Sequence, residues 1–178
     1  MGNKRVMTLV VGTAAVFVLA TSVKAQERAR AEFKDAEGKH VGVAMLQEDK
    51  DGVRINVQVK GLPAGLHGVH IHAVGKCEGP KFASAGGHFN LGKKKHGLKS
   101  AEGPHAGDLP NMYVTSVGGI YEAVAKSVTL KAGENSLFDA DGSAIVIHAA
   151  ADDYTTDPAG NSGDRIACGV ITKSAVKK

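Results

Sequence analysis

Apolar and polar residues alternate strictly along Val53–Lys60. Val53, Ile55, Val57 and Val59 are apolar, and Arg54, Asn56, Gln58 and Lys60 between them are polar. A period of two marks a strand with one face buried. Asp51-Gly52 just before it is a hairpin turn signal. Ala29, Ala31 and Phe33 predict an earlier strand, with Gly38 in the turn after it, and Val41–Leu46 predicts the next. Gly61-Leu62-Pro63-Ala64-Gly65 punctuates the chain again, and Val69 and Ile71 begin another strand. Further strands fit Met112–Val117, Tyr121–Leu130, Ala144–His148 and Ile166–Thr172. No segment carries a sustained 3.6-residue stripe. Many short strands with regular turn signals predict an all-β fold, an antiparallel sandwich or barrel.

The N-terminus follows a different pattern. Lys4 and Arg5 precede the nearly continuous apolar or small run Val6–Ala20, and Val23-Lys24-Ala25 reads as a small-x-small cleavage site before Gln26. This is the layout of a secretory signal peptide, and the run is short for a bilayer span. The expected organisation is a signal peptide over residues 1–25 and one domain over 26–178. Removal changes the charge. The full chain carries 22 Lys+Arg and 18 Asp+Glu, but three of the basic residues lie in the signal, so the mature chain is close to neutral at +1. Bulk charge then gives no support to a nucleic-acid or membrane partner, and 4% aromatic residues with no Trp gives none to a base-stacking surface. Export also places the two cysteines where a disulfide is the default.

Gly is 23 of 178 residues with no collagen period, which points to turns and long loops. Residues 73–110 and 149–164 are the long ones, and loops of this length in a compact domain are usually either functional or disordered; the side chains they carry favour function. They hold most of the reactive side chains. His70 and His72 lie two apart on a strand, so their imidazoles share a face, whereas His67 has the parity of Val69 and Ile71. His88, His96, His105 and Asp108 follow in the first loop, and His148 ends the apolar run Ala144–Ile147. His40 sits in a Gly-Lys turn as solvated surface. Imidazole suits copper and zinc; three His with a carboxylate make a tetrahedral zinc site, and a flatter His array suits Cu(II). The residues alone thus describe an exported β-protein with one or two histidine-rich metal sites.

The run Gly65-Leu-His-Gly-Val-His-Ile-His72, then Gly86-Gly-His-Phe-Asn90, His96-Gly97, Gly107-Asp-Leu-Pro110 and Asp164-Arg-Ile-Ala-Cys-Gly-Val-Ile171 resembles the copper–zinc superoxide dismutases over essentially the whole mature chain. Cys77, five residues after His72, resembles the bacterial exported branch. The resemblance implies an eight-stranded Greek-key β-barrel or sandwich with two long functional loops, copper and zinc as cofactors, and superoxide as substrate, converted to oxygen and hydrogen peroxide.

Residue by residue, it implies copper on His70, His72, His88 and His148, and zinc on His88, His96, His105 and Asp108, with His88 shared. His88 and Arg165 would be the catalytic residues, Arg165 guiding the anion. Asp152 would link a copper His to a zinc His, Cys77 and Cys168 would form the disulfide, and His67 would be structural. Lys93, Lys94 and Lys95 are the lysines from which a steering field is expected. The family's exported members occur as monomers and homodimers, so a homodimer is one partner the resemblance allows, in the periplasm or outside the cell. The rival reading is a non-catalytic secreted metal-binding protein on the same fold. Such relatives usually lack a copper His or the Arg, and no ligand position here departs from the pattern.

Overall fold

A computed structural model describes residues 26–174 together with Gly2. The expected signal peptide otherwise lies outside the described residues. The described residues form nine strands: β1 (Arg28–Asp35), β2 (His40–Asp49), β3 (Gly52–Val59), β4 (Gly65–His67), β5 (Val69–His72), β6 (Met112–Val114), β7 (Gly119–Ala125), β8 (Ala144–His148) and β9 (Arg165–Lys173). Ala83–Ala85 makes a single 3₁₀ turn. All pairings between these strands are antiparallel. Seven strands run in the order β5-β8-β9-β1-β2-β3-β7, and β4 pairs with β6. β4 and β5 are one strand interrupted at Gly68, so the count of eight holds when they are taken together. The neighbours β1–β9, β3–β7 and β5–β8 are remote in sequence, as a Greek-key order requires.

The alternation predicts the core. Ala29, Ala31 and Phe33 of β1 and Val53, Ile55, Val57 and Val59 of β3 are buried in one cluster with Leu46, Tyr121, Ile145 and Ile147. Fully burying a side chain of this size contributes roughly 1.5–3 kcal/mol. Asp49 pairs with Gly52, so the hairpin loop is Lys50–Asp51, and Gly52 is the first residue of β3. Its φ of 128° and its closeness to the Ala125 carbonyl leave no room for a Cβ.

β8 is buried on both faces. Ile145 and Ile147 point into the main core. Ala144 and Val146 join Phe82, Ala85 and Cys168 in a second small cluster, with Cys77 packed against it. Cys77 and Cys168 are disulfide-bonded, Cα to Cα 5.6 Å, across 91 positions of sequence. The outer face of β5 and β8 is therefore roofed by the first long loop, and on that face lie His70 and His72.

Two expected strands are shorter than their apolar runs. β6 stops at Val114 before a Thr115–Gly118 turn. β7 stops at Ala125, and residues 126–143 form a third long loop, which the apolar Val128 and Leu130 had disguised as strand. Those two side chains are buried in the main core cluster without belonging to a strand. Glu48 pins this loop to β2, accepting from Leu130 N at 2.7 Å and Lys131 Nζ at 3.0 Å.

Candidate metal centre

β5 is an edge strand, and its free edge is taken by the first loop folding back. Phe89 N donates to Ile71 O and Ile71 N donates to Gly107 O, both at 2.8 Å. This pairing sets His88 beside His72 and Asp108 beside His70. A Cβ on Gly107 would collide with Ile71 O, so only glycine permits the approach. β8, hydrogen-bonded to the other edge of β5, delivers His148 at its end.

His70, His72, His88 and His148 come together with one ligand atom each, all within 4.8 Å of one another. The unused ring nitrogen of three of them is fixed. His70 Nε2 donates to Asp152 Oδ2 at 2.7 Å, His72 Nδ1 to Gly86 O at 3.0 Å and His148 Nδ1 to Gly163 O at 3.1 Å. The remaining nitrogens, His70 Nδ1, His72 Nε2, His88 Nε2 and His148 Nε2, are buried and have no hydrogen-bond partner; among the described residues only Ser174 Oγ shares that condition. Buried polar atoms are rarely left unpaired. Four lone pairs converging on one point fit a cation that imidazole binds.

Burial keeps His70, His72 and His148 neutral, as ligation requires. It lowers His70 to about 4, against a partial offset from Asp152. It lowers His148 to about 3 and His72 to about 2, with neighbouring His rings adding to the effect.

A second group adjoins the first through His88. Asp108 Oδ1 lies 2.9 Å from His88 Nδ1, 3.1 Å from His96 Nδ1 and 3.3 Å from His105 Nδ1. His88 Nδ1 and His105 Nδ1 are themselves 3.3 Å apart. One oxygen facing three nitrogens, two of which face each other, is a poor set of hydrogen bonds. It fits a tetrahedral cation, whose ligands at ~2.0 Å would stand roughly 3.3 Å apart. His70 also comes within range of this group. Its Nε2 is committed to Asp152 and its Nδ1 is unpartnered like the other atoms of the first group, while the expected fourth member, His105, is not counted in the second group.

Burial pushes Asp108 up, but hydrogen bonds from His88 and Gly97 N and the charges of His96 and His105 outweigh it and hold the carboxyl well below the usual range. Asp152 joins the groups, its Oδ1 taking His96 Nε2 at 3.0 Å. His67 lies apart, its ring nitrogens against the carbonyls of His148 and Pro63 at 2.7 and 2.9 Å.

Arg165 donates to Phe82 O and Gly86 O, both at 2.7 Å. The Gly86 carbonyl thus serves both His72 and Arg165. Arg165 lines a cavity of about 910 Å³ with Lys81, Asp35, Glu37 and Asp164. Lys93, Lys94 and Lys95 do not line it; Lys95 instead faces Asp157, 3.5 Å away. The other cation lining the cavity is Lys81, which no motif singles out. The anchoring carbonyls of Gly86 and Gly163 leave no mark in the sequence at all.

The family model for copper/zinc superoxide dismutase (SODC) matches residues 40–171. A superoxide dismutase [Cu-Zn] of Aquifex aeolicus is 49% identical over 159 residues, 88% of this chain and 93% of that one. An extracellular superoxide dismutase [Cu-Zn] of Haemonchus contortus is 38% identical over 139 residues, 75% of this chain and 74% of that one. The crystal structure of a mutant of a superoxide dismutase-like protein from Bacillus subtilis superposes with a TM-score of 0.77 at 43% identity, covering 79% of this chain and 95% of that one. With such relatives and paired histidine groups suited to two cations, the chain belongs to the copper/zinc superoxide dismutases, enzymes that use copper and zinc to convert superoxide to oxygen and hydrogen peroxide.

Proposed function

We propose that His70, His72, His88 and His148 hold the copper of this dismutase and that His88, His96, His105 and Asp108 hold its zinc. The observation that carries this reading is the set of four buried, unpartnered ring nitrogens around one point, with the other nitrogen of His88 turned into the second group. When bound, copper supplies one-electron chemistry that oxidises one superoxide and reduces the next, and zinc, which has no redox change, supplies charge and fixed geometry.

The chain's own residues do the rest. His88 would take a proton at Nε2 and pass it to the reduced product while Nδ1 stays anchored in the zinc group. Arg165, held by two carbonyls and charged at any working pH, would bind the incoming anion at the cavity mouth. Asp152 would hold His70 and His96 in the tautomers that leave their opposite nitrogens free. Lys81 would place a second positive charge in that cavity, against the carboxylates of Asp35, Glu37 and Asp164.

The reading includes export, to the periplasm or the medium. It is supported by the signal layout of residues 1–25, the Cys77–Cys168 disulfide and a relative named as extracellular. A mature chain near neutrality supports neither a nucleic-acid nor a membrane partner. A homodimer has a surface to form on: Leu66, Tyr113, Val117 and Ile120 are exposed on the neighbouring strands β4, β6 and β7 and the turn between the last two. Sedimentation of the mature chain tests it; a single species of monomer mass at high concentration rejects it.

The decisive experiment is superoxide dismutation by the mature chain loaded with copper and zinc, beside His148→Ala and Arg165→Ala. The wild type should turn over fast and be cyanide-sensitive. His148→Ala should bind copper weakly and be inactive. Arg165→Ala should keep its copper and lose ~10-fold or more in kcat/KM, with a flatter salt dependence. No turnover at full copper occupancy in the wild type would falsify the catalytic assignment.

A further inference from the structure

We infer that Tyr154 is a positioning residue for the metal centre, acting through Asp152; this rests on the reading above in which Asp152 orients His70 and His96. A single carboxylate must reach two rings in different groups, at 2.7 and 3.0 Å. A small rotation would lose one of them.

Two residues hold Asp152 still. The Asn111 side chain takes both of its backbone polar groups: Asp152 N donates to Asn111 Oδ1 at 2.8 Å, and Asn111 Nδ2 donates to Asp152 O at 2.9 Å. Tyr154 N donates to Asp152 Oδ1 at 2.7 Å, the oxygen that faces His96. Tyr154 then closes the ring at its far end, because Asn111 N donates to Tyr154 Oη at 2.7 Å. Tyr154 therefore touches the carboxylate directly and also fixes the residue that fixes its backbone. Its carbonyl accepts from Lys99 N at 3.0 Å, with Lys99 Nζ 5.4 Å above the ring, tying it to the segment that carries His96.

The backbone of Tyr154 is left-handed, φ 68°. That is rare for a bulky residue and persists only where the surroundings over-determine it. The ring belongs to neither apolar cluster, so core packing does not account for it. Tyr121 provides the contrast. Its ring is in the main core and its hydroxyl donates to Pro110 O at 2.8 Å, next to Asn111 but with no bond to Asp152.

The test measures zinc affinity by chelator competition and the Cu(II) electron paramagnetic resonance signal of the loaded protein. Tyr154→Phe should weaken zinc by up to ~10-fold, the lower end of what outer partners of metal ligands cost, and should shift the copper signal. Tyr121→Phe loses a comparable hydrogen bond and should leave both readings at wild type. In an Asp152→Asn background, Tyr154→Phe should add nothing further. Should Tyr154→Phe fail to fold, Asn111→Ser opens the same ring of bonds from the other side and should give the same two changes. Wild-type zinc affinity and copper signal in the folded variant, or an undiminished effect in the Asp152→Asn background, would overturn the inference. A wild type that takes up neither metal overturns the reading of the site itself.

Discussion

His70, His72 and His148 each spend one nitrogen on a fixed acceptor and leave the other bare, so their chemistry is set by tautomer as much as by position. Burial that makes them ligands also makes them a liability in acid. In the metal-free protein His70 titrates at about 4 and His148 at about 3, both lowered chiefly by burial. The unfolded chain takes up those protons near pH ~6.5. Below that value the unfolded state binds more protons than the folded state, so stability falls as pH falls, down through the folded values. Urea midpoints of the metal-free, disulfide-bonded protein should therefore drop steadily between about pH 7 and pH 4. A midpoint flat across that range would mean the rings are not buried neutral.

β5 is only four residues long, yet it organises the whole site. Its outer-face parity gives His70 and His72, its paired edge brings β8 with His148, and its free edge draws in His88 and Asp108. The contact at Gly107 is the narrowest point of that arrangement. Gly107→Ala should push the segment off β5 and, on the proposed ligand sets, weaken zinc far more than copper, since Asp108 and His105 sit on the displaced side and the proposed copper set would keep His70, His72 and His148. Chelator competition for each metal reads this directly, and equal loss of both metals would show that the edge pairing is not what separates them. The hairpin of β2 and β3 shows a related constraint: Gly52 is needed because β7 ends against it.

For the molecule as a whole, the barrel supplies stability and the loops supply chemistry, and the Cys77–Cys168 bond couples them. It ties β9 to the loop whose Phe82 and Gly86 carbonyls hold Arg165. Closing 91 positions of chain is worth about 4–5 kcal/mol on the loop-entropy model. The Cys77→Ser, Cys168→Ser double variant should lose stability of that order in urea and lose activity earlier than it loses β-sheet circular dichroism, because the loop loosens before the barrel opens. Simultaneous loss of activity and sheet would show that the loop and barrel unfold as one unit.

The strands were legible because alternation over Val53–Val59 or Ala29–Phe33 is a local consequence of burying one face of a pleated chain. The residues that come together in the two histidine groups were legible too, through H-x-H spacing on a strand and motifs distinctive enough to carry a family resemblance. Local pattern could not say where a buried apolar run is not a strand. Val128 and Leu130 reach the main core from a loop pinned to Glu48, a contact between residues some eighty positions apart. Nor could it separate Lys81 from Lys93, Lys94 and Lys95, since exposed lysines look alike until the fold decides which of them borders the cavity. The carbonyls of Gly86 and Gly163 and the ring of bonds through Asn111 and Tyr154 are backbone and long-range features. Every residue has a carbonyl, and only the closed tertiary structure selects the few that aim an imidazole.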